Sequence, residues 1–324
     1  MAAAALALDP VALSSAMVEA LRRAKVYAPA STPIVLVGAT GTGKTFFADF
    51  IHRLSKRPDG FRGFSVGTAA PLLVLDDLFG HVEGAYTDAR RPRVGWFATV
   101  GRGTLLLDDF QNLARGAQKQ LLQVLDHRTY SPIGSSREVP VECRVIIAMN
   151  EPPDALVERG RLLPDLRHRL GYCEIRFAGL AERRGEIATL AARFLAECRG
   201  RTGVDGPARI APEAVTLLEG APWPGNLRQL QGELVLAYLE ARADGAAEIQ
   251  ARHLHERVRT VVPYKRRGDP EENWRAISRA LAHTGGRVDE AARLLGVSRA
   301  TIFNARARVE RLKRATPETE PAAE

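Results

Sequence analysis

The feature that most constrains the fold is a glycine-rich segment between a short apolar run and a helical pattern. The run Ile34–Val37 is wholly apolar, which is typical of a strand buried on both faces of a sheet. Residues 38–45 follow directly and read GATGTGKT, which fits GxxxxGK[ST], and apolar residues at helical spacing come next. This order predicts a phosphate-binding site in a parallel α/β sheet. The alternative, a chance glycine-rich turn, leaves the flanking strand and helix unexplained.

The residue types in this loop match the chemistry of phosphate binding. Glycines let backbone N–H groups wrap around phosphate oxygens, and the following helix adds the partial positive charge of its N-terminus. Lys44 is expected to reach the β and γ phosphates, and the Thr45 hydroxyl is expected to ligate Mg²⁺. The predicted nucleotide-binding residues of the loop are Gly38, Ala39, Thr40, Gly41, Thr42, Gly43, Lys44 and Thr45.

Two further apolar runs, 104–107 and 144–148, predict neighbouring strands of the same sheet. The first ends in Asp108 and Asp109, and parallel strands present their carboxyl ends to the ligand crevice. We expect Asp108 to hold Mg²⁺, partly through water, and Asp109 to polarise the attacking water. A solvated acidic turn is the alternative, which the upstream phosphate loop disfavours.

The net charge of +8 is concentrated near the C-terminal end, where residues 265–314 contain 13 Lys or Arg against 6 Asp or Glu. There a helical pattern ends at Gly285-Gly286, a short helix closes at Gly296, and Ser298 precedes a basic helix. This is a helix-turn-helix layout, which reads DNA; a basic hairpin that only packs on its neighbour is the alternative. The predicted DNA-contacting residues are Ser298, Arg299, Thr301, Asn304, Arg306 and Arg308.

No stretch approaches the ~18 consecutive apolar residues of a membrane span, and no basic leader opens the chain. The three cysteines, Cys143, Cys173 and Cys198, are scattered and lack CxxC spacing, so disulfides and a zinc site are not expected. These features predict a cytoplasmic protein that does not contact a membrane.

Six motifs in a fixed order resemble a known family. They are GATGTGKT (38–45), LFGHVEGAYTDA (78–89), GTLLLDDF (103–110), RVIIAMN (144–150), GRLLPDLRHRL (160–170) and WPGNLRQL (223–230). Together they resemble the central AAA+ domain of bacterial enhancer-binding proteins, the activators of sigma-54 RNA polymerase, and the C-terminal segment resembles the Fis-type helix-turn-helix. The resemblance implies ATP and Mg²⁺ as cofactors, and double-stranded DNA and sigma-54 RNA polymerase as partners. It also implies a homo-oligomer, either a hexameric ring or its dimeric precursor.

The resemblance also assigns roles to single residues. It matches Asp108 and Asp109 to Walker B, Asn150 to sensor I, and Arg228 to the sensor II arginine that reaches the nucleotide from a helical lid. Arg169 matches an arginine finger that enters the neighbouring subunit's site; a solvated helix arginine is the alternative. The loop that contacts sigma-54 corresponds to Gly84, Ala85, Tyr86, Thr87, Asp88 and Ala89.

Four positions depart from the family pattern. Asp88 replaces a glycine of the sigma-54 loop, and Asp109 replaces the Walker B glutamate with a side chain that is one methylene shorter. Leu163 stands at the first arginine-finger position, although Arg161 is nearby, and Gly67 stands where the family has an asparagine that communicates the nucleotide state. A displacement of about 1 Å can cost ~10²-fold in rate, so we expect slow or partner-dependent ATP hydrolysis.

The fold class expected is α/β: an AAA+ P-loop core with a parallel sheet, an all-helical lid, and a small all-α DNA-binding domain. The predicted boundaries are 1–178 for the core, 179–261 for the lid, 262–271 for a linker, 272–314 for the helix-turn-helix and 315–324 for an acidic disordered tail. With no sensory segment expected before residue 10, control is expected from an unlinked partner or from the level of synthesis.

Three readings of the function remain open at this point. The first is a sigma-54 activator that couples ATP turnover in a ring to polymerase remodelling. The second is a nucleotide-gated DNA-binding regulator that has lost sigma-54 activation and serves as an assembly or anti-activator module. The third is a P-loop remodeller with an unrelated protein target. The four departures favour the second reading, whereas the retained Thr87, Arg169 and Arg228 favour the first.

Overall fold

The computed structural model describes residues 14–67, 71–87, 89–202, 206–259, 270–284, 286–295, 297–305 and 307. It divides the chain into two compact units, one from Ser15 to Ala178 and the other from Gly179 onward. The predicted acidic tail, 315–324, and most of the predicted linker, 262–271, lie outside the described residues.

The first unit is built on a parallel sheet. Its strands are β1 (Ile34–Val37), β2 (Phe61–Ser65), β3 (Gly80–His81), β4 (Arg93–Val94), β5 (Thr104–Asp108), β6 (Thr129–Tyr130), β7 (Val139–Pro140), β8 (Arg144–Met149) and β9 (Glu174–Arg176). Five of them form the sheet in the order β2-β5-β8-β1-β9, and each neighbouring pair is parallel. The pairs β3–β4 and β6–β7 are short and antiparallel.

Helices cover both faces of this sheet. They are α1 (Ser15–Tyr27), α2 (Lys44–Ser55), α3 (Pro71–Phe79), α4 (Trp96–Thr99), α5 (Arg115–His127), α6 (Pro153–Glu158) and α7 (Pro164–Leu170). Successive residues of a strand point to opposite faces, so Val35 packs with Leu121 of α5 while Leu36 packs with Ile51 of α2. The three central strands are therefore apolar at nearly every position, as the sequence predicted.

A buried arginine ties the first helix to the sheet. Arg144, at the start of β8, donates hydrogen bonds to the carbonyl oxygens of Tyr27 and Ala28, both at 2.7 Å. These carbonyls close the C-terminal end of α1, where the helix dipole favours a cation. Burial lowers the pKa of Arg144 to about 10, so the guanidinium stays charged at neutral pH.

The second unit is mainly helical. Its described elements are α8 (Ile187–Thr202), α9 (Pro212–Gly220), α10 (Asn226–Ala243), α11 (Glu256–Arg259), α12 (Pro270–His283), α13 (Val288–Leu295) and a last helix over 299–305, with β10 (Arg209–Ile210) and β11 (Glu248–Ile249). The expectation of an all-helical lid was wrong in one respect, because β10 and β11 pair as a two-stranded parallel ladder. At two residues each, these strands are too short for a period-2 sequence pattern to show.

Candidate nucleotide-binding site and associated surfaces

The loop 38–45 connects the end of β1 to the start of α2 and has the backbone that its glycines permit. Gly41 and Gly43 have φ of 78° and 101°, a region that side-chain-bearing residues rarely adopt. Gly38 lies so close to the chain after β9 that an added Cβ would be 2.8 Å from Cβ of Phe177. The Thr42 hydroxyl closes the loop by donating to the carbonyl oxygen of Ala39 at 2.8 Å. The loop is thus a tight turn of fixed shape at the carboxyl edge of the sheet.

Lys44 lies inside this loop with 8% of its surface exposed. Its ammonium group donates to the carbonyl oxygens of Gly38, at 2.7 Å, and Ala39, at 3.2 Å. Lys44 is the first residue of α2, and its positive charge therefore lies inside the turn formed by the loop. A phosphate group bound in this curve would meet both the ammonium and the N-terminus of the helix.

The predicted Mg²⁺ ligands, Thr45 and Asp108, are in direct contact. The Thr45 hydroxyl donates to Oδ2 of Asp108 at 2.9 Å, and Oδ1 of the same carboxylate accepts the backbone N–H of Asp109 at 2.9 Å. The pair joins α2 to the carboxyl end of β5, 63 residues later in the chain. A hydroxyl and a carboxylate oxygen at this spacing form a donor set that suits Mg²⁺, which prefers oxygen ligands.

Asp109 is held by contacts that the sequence did not predict. Its backbone is left-handed, with φ of 54°. Oδ1 accepts the amide of Gln111 at 3.4 Å, and Oδ2 accepts the hydroxyl of Ser65 at 3.5 Å. The side-chain oxygen Oε1 of the same Gln111 accepts the backbone N–H of Asn150 at 3.3 Å. Gln111 therefore joins Asp109 to the end of β8. Its side chain is buried next to Asp108 and Asp109, and this buried position is what indicates that it positions Asp109.

Asn150 and Gly67 complete this edge of the sheet. The side-chain oxygen of Asn150 is buried and has no hydrogen-bond partner among the residues that the structure describes. A buried acceptor of this kind is costly unless a donor reaches it, so it points to a place where a ligand or water binds. A side chain at Gly67 would place its Cβ 3.0 Å from Nδ2 of Asn112 and 3.6 Å from Cβ of Asp109. Residue 67 is thus adjacent to the acid pair, and little space remains there.

The arginines near α7 already have partners within the first unit. Arg169, on α7, pairs through Nε with Asp126 of α5 at 2.7 Å, and 60% of its side chain is exposed. Arg161 donates to the carbonyl oxygen of Gln111 at 3.2 Å and lies 3.4 Å from the carboxylate of Glu151. Arg161 thus faces the loop that follows Asp108 and Asp109, whereas Arg169 contacts α5 and keeps most of its side chain exposed.

The predicted sigma-54 loop is a compact turn whose described residues are 84–87 and 89; Asp88 lies outside the described residues. The N–H of Gly84, where φ is 78°, donates to the carbonyl oxygen of Ala89 at 2.8 Å. The Ala89 N–H donates to the carbonyl oxygen of Tyr86 at 2.9 Å. Tyr86 and Thr87 are exposed at the tip, while Ala89 is buried. The hydrogen-bonded turn thus holds Tyr86 at its tip with 46% of its surface exposed.

A buried histidine supports this loop. Nδ1 of His81 bonds to the carboxylate of Asp76, and Nε2 lies 2.8 Å from the carbonyl oxygen of Arg91. Both ring nitrogens therefore lie within hydrogen-bond distance of an oxygen atom. The ring of Tyr86 packs edge-on against His81, with 5.0 Å between centroids. Burial alone would raise the pKa of Asp76, but hydrogen bonds from His81 and Arg93 outweigh it and hold that pKa below its ordinary value.

In the second unit, the WPGN turn places Arg228 on the first turn of α10. The Trp223 indole donates to the carbonyl oxygen of Leu218 at 2.8 Å, and Oδ1 of Asn226 accepts the N–H of Leu180 at 2.7 Å. Asn226 has φ of 51°, which asparagine tolerates better than most residues. These buried contacts fix the start of α10, and Arg228 points outward with an exposed side chain.

The described part of the predicted DNA-binding module has a helix-turn-helix order, with α12, α13 and the helix over 299–305. Ser298 caps the last helix, because its Oγ accepts the Thr301 N–H at 3.2 Å and lies 2.9 Å from the Thr301 hydroxyl. Arg299 and Asn304 are exposed, and Arg299 pairs with Asp289 of α13 at 2.9 Å. Arg306 and Arg308 lie outside the described residues.

Phe303 is exposed on the same helix and was not among the predicted DNA-contacting residues. The sequence spacing could have indicated it. Phe303 follows Arg299 by four residues, so the two lie on the same side of a helix, while the neighbouring apolar Ile302 faces another side. Across the described ranges of both units, no helix is long and apolar enough to cross a membrane.

Comparison with known proteins gives three family matches along the chain. Residues 11–176 match the sigma-54 interaction domain, residues 181–269 the AAA+ ATPase lid domain, and residues 275–308 the Fis family of bacterial regulatory proteins. The lid and Fis matches follow the first in the order that the motifs predicted.

Individual relatives agree with these matches. The sigma54-dependent transcriptional activator SfnR of Pseudomonas putida is 34% identical over 69% of this chain and 61% of its own length. The transcriptional regulatory protein ZraR of Escherichia coli (strain K12) is 32% identical over 90% of this chain and 67% of its own. The crystal structure of NtrX from Brucella abortus in complex with ATP aligns with a TM-score of 0.67 at 25% identity, over 91% of this chain and 68% of that one. The chain spans less than two thirds of the length of the SfnR relatives that it matches.

Proposed function

The chain belongs to the sigma-54 interaction domain family, and on that premise we propose that it is an ATP-dependent, DNA-binding transcription regulator that acts on sigma-54 RNA polymerase. Family membership implies nucleotide binding in the first unit, and the NtrX relative was crystallised with ATP. The choice of ATP and Mg²⁺, the DNA and polymerase partners, and the cytoplasmic location belong to this proposal.

The observation that carries the proposal is the contact between Thr45 and Asp108 beside the buried Lys44. The Thr45 hydroxyl oxygen and Oδ2 of Asp108 lie 2.9 Å from each other, and the ammonium group of Lys44 lies inside the glycine-rich turn. This arrangement fits a nucleoside triphosphate and its magnesium ion. Thr45 and Asp108 would hold Mg²⁺, which when bound neutralises negative charge on the phosphates. Turns that merely connect a strand to a helix have no need of this donor set.

In this proposal, different residues of the first unit have different roles in ATP hydrolysis. The loop N–H groups and Lys44 bind and orient the phosphates, while Asp109 accepts a proton from, or orients, the attacking water. Gln111 positions Asp109, since its amide contacts that carboxylate and its side-chain oxygen contacts the end of β8. The unpartnered oxygen of Asn150 is available to a water or ligand donor at the same edge.

Control of hydrolysis by assembly is part of the proposal. Arg169 has 60% of its side chain exposed and would exchange Asp126 for the phosphates bound by a neighbouring copy. A guanidinium supplied in this way offsets the charge on the transferred phosphoryl group and is worth ~10³–10⁵ in rate. The homo-oligomer, whether a ring or its dimeric precursor, would therefore hydrolyse ATP faster than the single chain. Arg228 is proposed to report nucleotide binding from the lid.

Nucleotide binding is tested first. Lys44→Ala removes a charge-assisted contact to phosphate, which is worth about 1.5–3 kcal/mol, so the Kd for ATP should rise about ten- to hundredfold. Lys119→Ala, an exposed lysine on α5 of the same unit, is the matched control and should leave the Kd unchanged. Isothermal titration with ATP and Mg²⁺ measures both. Equal affinities for wild type and Lys44→Ala would remove the basis of the proposal.

The polymerase step is tested by open-complex formation at a sigma-54 promoter with this protein and ATP. Open complexes that form with wild type and are lost with Thr87→Ala support activation through the loop of residues 84–89. Their loss with Lys44→Ala shows that they require bound nucleotide. ATP-dependent DNA binding without open complexes would select the alternative function, in which the AAA+ module gates DNA binding only.

The rate of hydrolysis is tested by steady-state phosphate release. A rate as fast as that of an ordinary relative would contradict the expectation of slow hydrolysis.

A further inference from the structure

The last described helix packs against the core of its module through Ile302. Ile302 is 3% exposed and packs with Ile277 of α12 and Ala291 of α13 in the small core of this module. A residue next to it in a helix is turned by about 100°, so Phe303 faces away from that core. Phe303 is 54% exposed, and Ala300 and Ala307 lie on the same side at spacings of three and four residues. The centre of the outward face is therefore apolar.

Cationic and amide groups border this apolar centre. Arg299 lies one turn before Phe303, Asn304 follows it, and both are exposed. The surrounding sequence, 265–314, contains 13 Lys or Arg against 6 Asp or Glu, so the occupant of this face is expected to be a polyanion. A second copy of the chain is disfavoured on this face, because it would bring the same positive charge against itself.

An exposed aromatic ring between an arginine and an asparagine matches the major-groove edge of DNA bases. Arginine recognises guanine and asparagine recognises adenine through paired hydrogen bonds, while the C5 methyl group of thymine offers an apolar contact. A phenylalanine makes no hydrogen bond and gains affinity by covering such a methyl group.

We propose that Phe303 is a specificity-determining residue that contacts the C5 methyl group of a thymine in the DNA site. The inference rests on the proposed function, since it requires that the helix over 299–305 enters the major groove. The proposal adds two details to that function: the thymine methyl group as a recognised feature of the DNA, and Phe303 as the residue that recognises it.

The test compares thymine with deoxyuridine, which differs only by the methyl group. A preferred duplex is first selected with the full chain from a randomised library, and each thymine of it is then replaced singly by deoxyuridine. Fluorescence anisotropy at one salt concentration gives Kd for wild type, Phe303→Ala and Phe303→Leu. Leu236→Ala is the matched control, because Leu236 of α10 is also 54% exposed and lies outside this module.

One position in the site should show the effect. There, deoxyuridine should weaken wild-type binding about fourfold, the loss for one buried methyl group. Phe303→Ala should bind the two duplexes equally, whereas Phe303→Leu and Leu236→Ala should keep most of the difference. Retained helicity of Phe303→Ala by circular dichroism shows that the loss is local.

Three results would overturn the proposal. The first is wild-type binding that deoxyuridine weakens at no position, and the second is a Phe303→Ala variant that keeps the wild-type difference between the two duplexes. A change of oligomeric state in Phe303→Ala, measured by sedimentation, would place the ring at a protein interface instead. Binding with no sequence preference at all would count against the DNA-reading part of the proposed function as well, which separates that failure from the failure of Phe303 alone.

Discussion

Replacing Gln118 by leucine tests whether the loop after the acid pair is tied to the segment that leads into α7. The buried Gln118 amide nitrogen donates to the carbonyl oxygens of Leu113 and Arg161, both at 2.8 Å, and its carbonyl oxygen accepts the N–H of Leu163 at 2.9 Å. Leucine has a similar size, so the change removes three hydrogen bonds with little change in packing volume.

The magnitude follows from the three groups left behind. A buried backbone group without a partner costs about 1–3 kcal/mol. The carbonyl of Leu113 is buried and is assigned about 2 kcal/mol, while the partly buried groups of Arg161 and Leu163 are assigned about 1 kcal/mol each. The more apolar side chain offsets about 1 kcal/mol of this loss. The free energy of unfolding should fall by about 3 kcal/mol, and the melting temperature by roughly 6–12 °C.

Thermal and urea unfolding of the full chain measure the change, and Gln120→Leu is the control. Gln120 is on the same helix, but its side-chain oxygen is buried and meets no hydrogen-bond partner in the described part of the chain. The same substitution there removes an unsatisfied group and should be neutral or stabilising. A loss below about 1 kcal/mol for Gln118→Leu, or equal losses for the two variants, would refute the reasoning from hydrogen bonds.

Further predictions concern the first unit. Asp109→Glu adds the missing methylene and should raise phosphate release by as much as about 100-fold; an unchanged rate would show that side-chain length at 109 is not limiting. Asp126→Asn should raise the hydrolysis rate at concentrations where copies associate, because it removes the ion-pair partner of Arg169, which we propose as an arginine finger; an unchanged rate contradicts this. The pKa of Asp76 is lowered, so its stabilisation is full above pH ~4 and is lost as the pH falls through its folded value. Urea midpoints from pH 6 to 3 should therefore vary less in Asp76→Asn than in wild type. Burial raises the pKa of Cys143 to about 11, so a thiol reagent at pH 8 should leave Cys143 unmodified while the half-buried Cys173 reacts. Equal modification rates for the two cysteines would contradict the prediction that burial protects Cys143.

The sequence predicted the centre of the sheet and missed its edges. Strands β1, β5 and β8 are central, buried on both faces and continuously apolar, which is a pattern that a single sequence shows. The edge strands β2 and β9 were not predicted. β2 reads FRGFS with exposed residues at its centre, and β9 has three residues with one buried. Their extended conformation comes from hydrogen bonds to β5 and β1, which no local pattern encodes.

Helix boundaries show the same division. The apolar spacing over residues 181–198 predicts one helix that starts at Ala181. In the structure, α8 begins at Ile187 after two 3-10 turns, Leu180–Glu182 and Arg184–Glu186. The first turn is held by a contact from Asn226, whose side chain accepts the Leu180 N–H from 46 residues away. Propensity therefore located the helix, and a distant side chain set where it starts.

By itself, the sequence determined the chemistry that depends on neighbouring residues: the glycine-rich loop with Lys44 and Thr45, the acid pair after β5, and the capped basic helix. These follow from backbone freedom and charge within one turn or strand end, so they can be read without coordinates. Only the tertiary structure decided which groups meet: Thr45 with Asp108, Gln111 with Asp109, and Arg169 with Asp126. Such pairs join distant parts of the chain, and their geometry exists only after the sheet and helices have packed.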